Sequence, residues 1–216
     1  LFPHHENEIA QSVAADSEHR PLARFFIEGE HLVVDGKKMS KSLGNFYTLN
    51  DISERKISPL VFRYLVLTSH YHSPLNFKWD ALKAATVSFE RLRGRVAVLA
   101  QTSENMRENK KFRTEFKKHL ADDLNMPNAL AVLWTYFDAL SSDDFLWADR
   151  ILGLRLDDTA KAKIPDEIRA LADERERARD SKESKKADEL RDAIQKLGWT
   201  VGDTPNGPIL KPLNLD

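Results

Sequence analysis

Five consecutive residues, Lys38-Met39-Ser40-Lys41-Ser42, hold the densest candidate chemistry in the chain. Two lysines three positions apart, on a serine-containing stretch between Gly36 and Gly44, bring two ammonium groups near one point. Such a loop can close over a polyphosphate and neutralise charge developing on a departing pyrophosphate. Flexibility has a use there, because a clamp that tightens mainly in the transition state speeds the reaction. The same composition also describes a solvated surface loop. It is not a Walker A loop, because Gly36-Lys37-Lys38 lacks the following Ser/Thr and the earlier glycine.

A second group is His4-His5-Glu6-Asn7-Glu8. On a helix, His4 and Glu8 are four apart and face the same way. An imidazole nitrogen and a carboxylate oxygen are both zinc ligands. Two ligands do not make a tetrahedral site, so the others are expected from outside this chain. The metalloprotease pattern H-E-x-x-H fails, because Ile9 stands where the second histidine is required. The plain alternative is an ordinary i,i+4 polar pair.

Further along, Arg107, Lys110, Lys111, Arg113, Lys117 and Lys118 surround Phe112 and Phe116. This run reads either as a basic face tracking phosphates or as a solvated face over two core phenylalanines. Trp134, Trp147 and Trp199 have possible stacking roles, although large aromatics at helical spacing are usually core. His70 and His72 flank Tyr71 in a loop-like stretch, and the sequence assigns them no role.

Composition bounds these readings. The 216 residues carry 33 Lys+Arg against 34 Asp+Glu, a formal charge of -1. That balance excludes a generally basic nucleic-acid coat and leaves room for local basic patches. There is no cysteine, which excludes a disulfide scaffold and any thiolate metal site built by this chain alone. No apolar run approaches the length of a membrane span. The chain starts at Leu1 with chemistry-dense residues at once, so a fragment cut on its N-terminal side is the expectation.

The elements that must hold these groups are legible in outline. Pro3 opens a helix through residues 4–15. Residues 23–36 read as short extended pieces around Gly29, with a turn at Asp35-Gly36. Pro59 begins a buried helix running into Tyr71, and residues 72–78 read as a loop. Leu82, Ala85, Phe89, Leu92, Val96 and Leu99 mark one face of a long helix starting near Trp79. Phe112, Phe116 and Leu120 mark another, Pro127 opens a helix through Leu140, and Gly153 stops the next. Pro165-Asp166-Glu167 is a helix start. The charged run 174–186 reads as a solvated helix or a hinge. The following helix buries Ala187, Leu190, Ile194 and Leu197, and the tail reads as two short strands.

Taken together, residues 2–12 (FPHHENEIAQS), 34–49 (VDGKKMSKSLGNFYTL) and 62–77 (FRYLVLTSHYHSPLNF) resemble cysteinyl-tRNA synthetase, a class I aminoacyl-tRNA synthetase. The likeness continues through residues 122–134, 148–154, 187–199 and 203–208, so it spans essentially the whole chain in order. The resemblance implies a mostly α fold. The end of a class I α/β, Rossmann-like catalytic domain (1–50) is followed by a stem-contact region (51–80). A DALR-type antiparallel helical bundle (81–182) and a small α+β anticodon-recognition cap (183–216) complete it.

It also implies activation of L-cysteine with ATP, with magnesium, to the adenylate, and transfer to the tRNA for cysteine. Lys41 is the lysine expected to bind ATP. Lys38 is its neighbour in the loop and catalytic with it, and Met39, Ser40 and Ser42 shape the loop, Met39 and Ser40 lying on the ATP side. His4 and Glu8 match zinc ligands, with two upstream cysteines completing the site. Zinc would read the substrate thiolate directly and reject serine without editing. The family's HIGH signature and those two cysteines are expected upstream of Leu1. Where many members read Trp-x-His, this chain has Phe26-Ile27-Glu28. The expected setting is a cytoplasmic monomer with no membrane contact. Two other readings stand beside this one: a stand-alone RNA-binding module, and a sister ligase joining cysteine to an amino sugar in the mycothiol-ligase manner.

Overall fold

A computed structural model describes residues 3–15, 23–102, 107–161, 164–204 and 207–213. Helix α1 (His4–Ala15) follows Pro3 and buries no residue. Strand β1 (Leu32–Val34) turns at Asp35 and Gly36 into β2 (Lys37–Lys38). Both turn residues have positive φ, 48° and 73°, the pairing an Asp-Gly hairpin turn supplies at least strain.

Strand β3 (Leu75–Phe77) lies parallel to β1, with Val34 opposite Phe77, in a three-stranded sheet of order β2-β1-β3. A parallel pair needs a crossover. Here α2 (Leu49–Glu54) and α3 (Pro59–Leu67) lie between the two strands. The sequence predicts a loop over 72–78, and the structure has this strand instead. Three residues are too few to show alternation, and the strand exists because Phe77 is buried beside Val34. In the other direction, no strand precedes Leu32 among the described residues. The 23–30 segment is held by single contacts such as Glu30 N–H donating to the Tyr71 carbonyl at 2.8 Å.

Helix α3 ends at Leu67, so residues 68–71 lie outside it. Helix α4 (Trp79–Thr102) supplies the centre of the main core. Its six predicted face residues are all at most 6% exposed. Against it and one another pack α5 (Lys110–Ala121), α6 (Met126–Thr135), α7 (Ser142–Leu152) and α8 (Leu156–Lys161). The helix expected through Leu140 stops at Thr135, and a 3-10 turn covers Phe137–Ala139. The tighter turn seats Phe137 on Trp134, rings 4.8 Å apart, and edge-on to Phe145. Gly153 closes α7 in the left-handed conformation as expected.

A second, smaller core joins α9 (Asp166–Asp180), α10 (Ser184–Lys196) and the antiparallel hairpin β4 (Trp199–Thr204)–β5 (Gly207–Pro212). Ile168, Ala172, Ile194 and Leu210 are its buried members. The charged run is helical to Asp180, and Arg175 within it is 1% exposed, paired at 2.7 Å to Asp203 of β4. Leu197 departs from the predicted stripe: it caps α10 and is 46% exposed. The Gln101 side-chain amide donates to the Leu210 carbonyl at 2.9 Å, tying α4 to the hairpin. The architecture is therefore mostly helical, with two small sheets among the described residues. No helix among the described residues is long and apolar enough to cross a membrane.

Candidate functional site

The lysine loop is built from a strand end, a 3-10 turn and local hydrogen bonds. Lys38 ends β2, where it pairs with Val33. Lys41 opens a 3-10 turn over Lys41–Leu43, capped by Ser40, whose hydroxyl accepts from the Leu43 amide at 3.3 Å. Ser40 and Ser42 hydroxyls meet at 3.2 Å. Gly44, at φ 64°, closes the turn by donating to the Lys41 carbonyl.

Asn45 clasps the two ends of this loop. Its carbonyl oxygen accepts from Ser40 N–H at 2.9 Å, and its amide donates to the Lys38 carbonyl at 3.1 Å. The lysines themselves are exposed, while Met39 is half-buried against the main core. Lys41 Nζ stands 5.6 Å from the centre of the Phe46 ring. An exposed cation–π contact of that kind contributes about 0.5–1 kcal/mol, so it is easily exchanged for a stronger anion. Sequence reasoning did not pick out Asn45 or Phe46. An amide two residues past a serine–lysine turn is the signal that points to a clasp of this kind.

Behind the loop the backbone is fixed at two points. Gly36 N–H donates to the Asn76 side chain at 2.9 Å, linking the hairpin turn to β3. Thr48 and Asp51 form a reciprocal capping box at the start of α2. The Thr48 hydroxyl and amide hydrogen bonds hold the Asp51 carboxyl below its ordinary range.

His4 and Glu8 both lie exposed on α1, one turn apart, as predicted. They supply one nitrogen and one oxygen donor, the right types for zinc. Among the described residues no third His, Asp or Glu joins them in a metal-sized group. The residues present thus fit half of a four-ligand set. His5, beside them, has Nδ1 3.4 Å from Glu28 Oε1. Glu28 therefore faces the α1 start, while Phe26 and Ile27 are 54% and 68% exposed.

The basic run of α5 resolves toward its packing. Arg113 donates to the buried Asp144 carboxylate at 2.8 Å and pairs with Glu108 at 3.2 Å. Arg113 and Lys117 both lie over Trp147, and Phe112 and Phe116 are fully buried. Trp134 stacks on Phe137 and donates to the Tyr64 hydroxyl at 2.9 Å. Trp199 packs against the second core. Phe112 and Phe116 are interior, while Trp134, Trp147 and Trp199 are half-buried against the cores.

Comparison with known proteins agrees with this arrangement at both ends. Residues 1–87 match a family described as tRNA synthetases class I (C) catalytic domain. Residues 161–207 match the cysteinyl-tRNA ligase anticodon binding domain. The chain is 38% identical to a cysteine–tRNA ligase of Chlamydia caviae, covering 99% of this chain and 49% of that protein. It is 41% identical to one from Opitutus terrae, covering 98% of this chain and 46% of the relative. A cysteine–tRNA ligase 1 of Burkholderia lata is 39% identical over 94% of this chain and 44% of its own length. The chain thus spans about half the length of the curated relatives it matches. With the lysine loop in one matched region and the helix–hairpin core in the other, the chain belongs to the cysteinyl-tRNA synthetase family.

Proposed function

We propose that this chain supplies the lysine loop and the tRNA-binding helices of an enzyme that activates L-cysteine with ATP and charges the tRNA for cysteine. The observation that carries the reading is the Lys38–Ser42 loop, clasped by Asn45 with both lysines exposed. Lys41 leaves Phe46 to meet the ATP phosphates, and Lys38 adds a second positive charge from the end of β2. Together they offset the charge that grows on pyrophosphate as the adenylate forms. Ser40 and Ser42 shape the turn, and Met39 anchors it to the core. ATP enters as its magnesium salt.

His4 and Glu8 are proposed as two of the ligands of one zinc ion, with the remaining donors outside these 216 residues. When bound, zinc supplies a thiophilic Lewis acid that favours the cysteine thiolate over the serine hydroxyl. His5 and Glu28 steady the helix start that presents these donors. The helix–hairpin core is proposed to meet the anticodon end of the tRNA, and the match over residues 161–207 supports tRNA over an amino sugar as acceptor. The enzyme is proposed to work as a cytoplasmic monomer.

The test is a chimera in which this chain replaces the matching residues of the Opitutus terrae relative. It is expected to charge the tRNA for cysteine and to leave glucosamine acceptors untouched. A folded chimera that charges no tRNA contradicts the proposal. Sedimentation of the same protein is expected to show a monomer.

A further inference from the structure

Two histidines without a part in the reading above meet a carboxylate from a distant segment. His70 and His72 lie in the turn between α3 and β3, and Asp123 lies between α5 and α6. One ligand atom from each falls within 4.8 Å of the others, the one group of three His, Asp or Glu residues so placed among the described residues. His72 Nδ1 is 3.5 Å from Asp123 Oδ2. The Tyr71 hydroxyl donates to the other oxygen, Asp123 Oδ1. One carboxylate oxygen is thus held by a neighbour while the second faces the imidazole.

We propose that His70, His72 and Asp123 form a binding site for a divalent transition-metal ion of the zinc, cobalt and nickel class. The donor set is two imidazole nitrogens and one carboxylate oxygen, which those ions favour over magnesium or calcium. With metal–ligand bonds of about 2.0–2.2 Å, neighbouring ligands in a tetrahedral shell stand about 3.4 Å apart. The observed group must close by a little over 1 Å, which exposed side chains can do: His72 and Asp123 are 58% and 57% exposed. His70 is half-buried and stacked on Tyr71, rings 4.9 Å apart, so one ligand is already fixed in orientation.

The backbone holds the partners in register. Glu30 N–H donates to the Tyr71 carbonyl, pinning the turn from its far side. Asp123 and Leu124 both have positive φ, 51° and 52°, a conformation uncommon for leucine. Tyr71 is the positioning residue, playing the part that outer carboxylates and hydroxyls play around metal ligands. A metal here clips the sheet-side turn to the α5–α6 connection, and water completes its coordination.

Zinc alone is titrated calorimetrically into the 216-residue chain carrying His4→Ala and Glu8→Ala, which removes the other candidate ligands. One equivalent is expected to bind. His72→Ala and Asp123→Asn, added singly, are each expected to weaken it at least tenfold. Tyr71→Phe is expected to weaken it about tenfold through the lost orientation. In the same His4→Ala, Glu8→Ala chain, the ring-proton resonances of His70 and His72 are expected to shift with the first equivalent of zinc. No binding in the His4→Ala, Glu8→Ala chain overturns the proposal. So does binding that His72→Ala and Asp123→Asn leave unchanged, or a titration in which neither histidine shifts.

Discussion

The bundle and the lysine loop treat charge in opposite ways. In the bundle, Asp144 is fully buried and accepts from Ser141, Asn109 and Arg113 at once. Arg93 is likewise buried, donating to Thr159 at 3.2 Å. The loop leaves Lys38 and Lys41 in solvent and keeps its shape with local bonds from Ser40, Gly44 and the Asn45 amide. Helix α1, with His4 and Glu8, has no fully buried residue. Charge that is paired inside specifies the fold. Charge that stays outside, on a short well-capped turn, remains available for a ligand.

That contrast is broken most strongly from the bundle side. Phe116→Ala removes a fully buried ring between α5 and Trp147 and is expected to cost about 3–5 kcal/mol, read as a lower denaturant midpoint. Asp203→Asn deprives the buried Arg175 of its carboxylate. The expected loss is about 2–3 kcal/mol, below the range for a fully buried pair because Asp203 is 40% exposed.

The same pair gives a pH dependence. The Arg175 hydrogen bond holds the Asp203 carboxyl below its ordinary value of 3.8. Its stabilisation is therefore complete above that value and is lost as the pH falls through the lowered one. Thermal unfolding followed at Trp199 is expected to show the loss below the ordinary carboxylate range in the parent chain and not in Asp203→Asn.

The loop side gives smaller effects. Asn45→Ala removes two hydrogen bonds from an exposed turn and is expected to cost about 1 kcal/mol or less. Amide exchange at Ser40 is expected to quicken while the bundle amides keep their protection. Ile9→Ser on α1 is expected to cost about 1 kcal/mol or less, because Ile9 is half-buried and no residue of the helix is fully buried. A large loss at Ile9, or none at Phe116, would erase the contrast between the two regions.

The same contrast explains what the sequence disclosed. Leu82 to Leu99 announce a buried helix because burial imposes a period on their side chains. Gly153 and Pro165 mark helix ends for local steric reasons that act before any tertiary contact. Strand β3 carried no such period: its register depends on β1, more than forty residues upstream. Arg175 looked like one more charge in a solvated run, since its partner Asp203 sits in a different element. The lysines and the His4/Glu8 spacing were visible because their chemistry is local. The clasp by Asn45, the Phe46 perch and the meeting of His72 with Asp123 depend on turns that close only in the fold.

The most direct measurement is cysteine-dependent ATP–pyrophosphate exchange by the Opitutus terrae chimera, with and without Lys41→Ala. If Lys41 offsets charge on the departing pyrophosphate, exchange is expected to fall about 10²–10³-fold while the unfolding midpoint stays unchanged. Exchange at the parental rate in the folded Lys41→Ala protein would contradict the account.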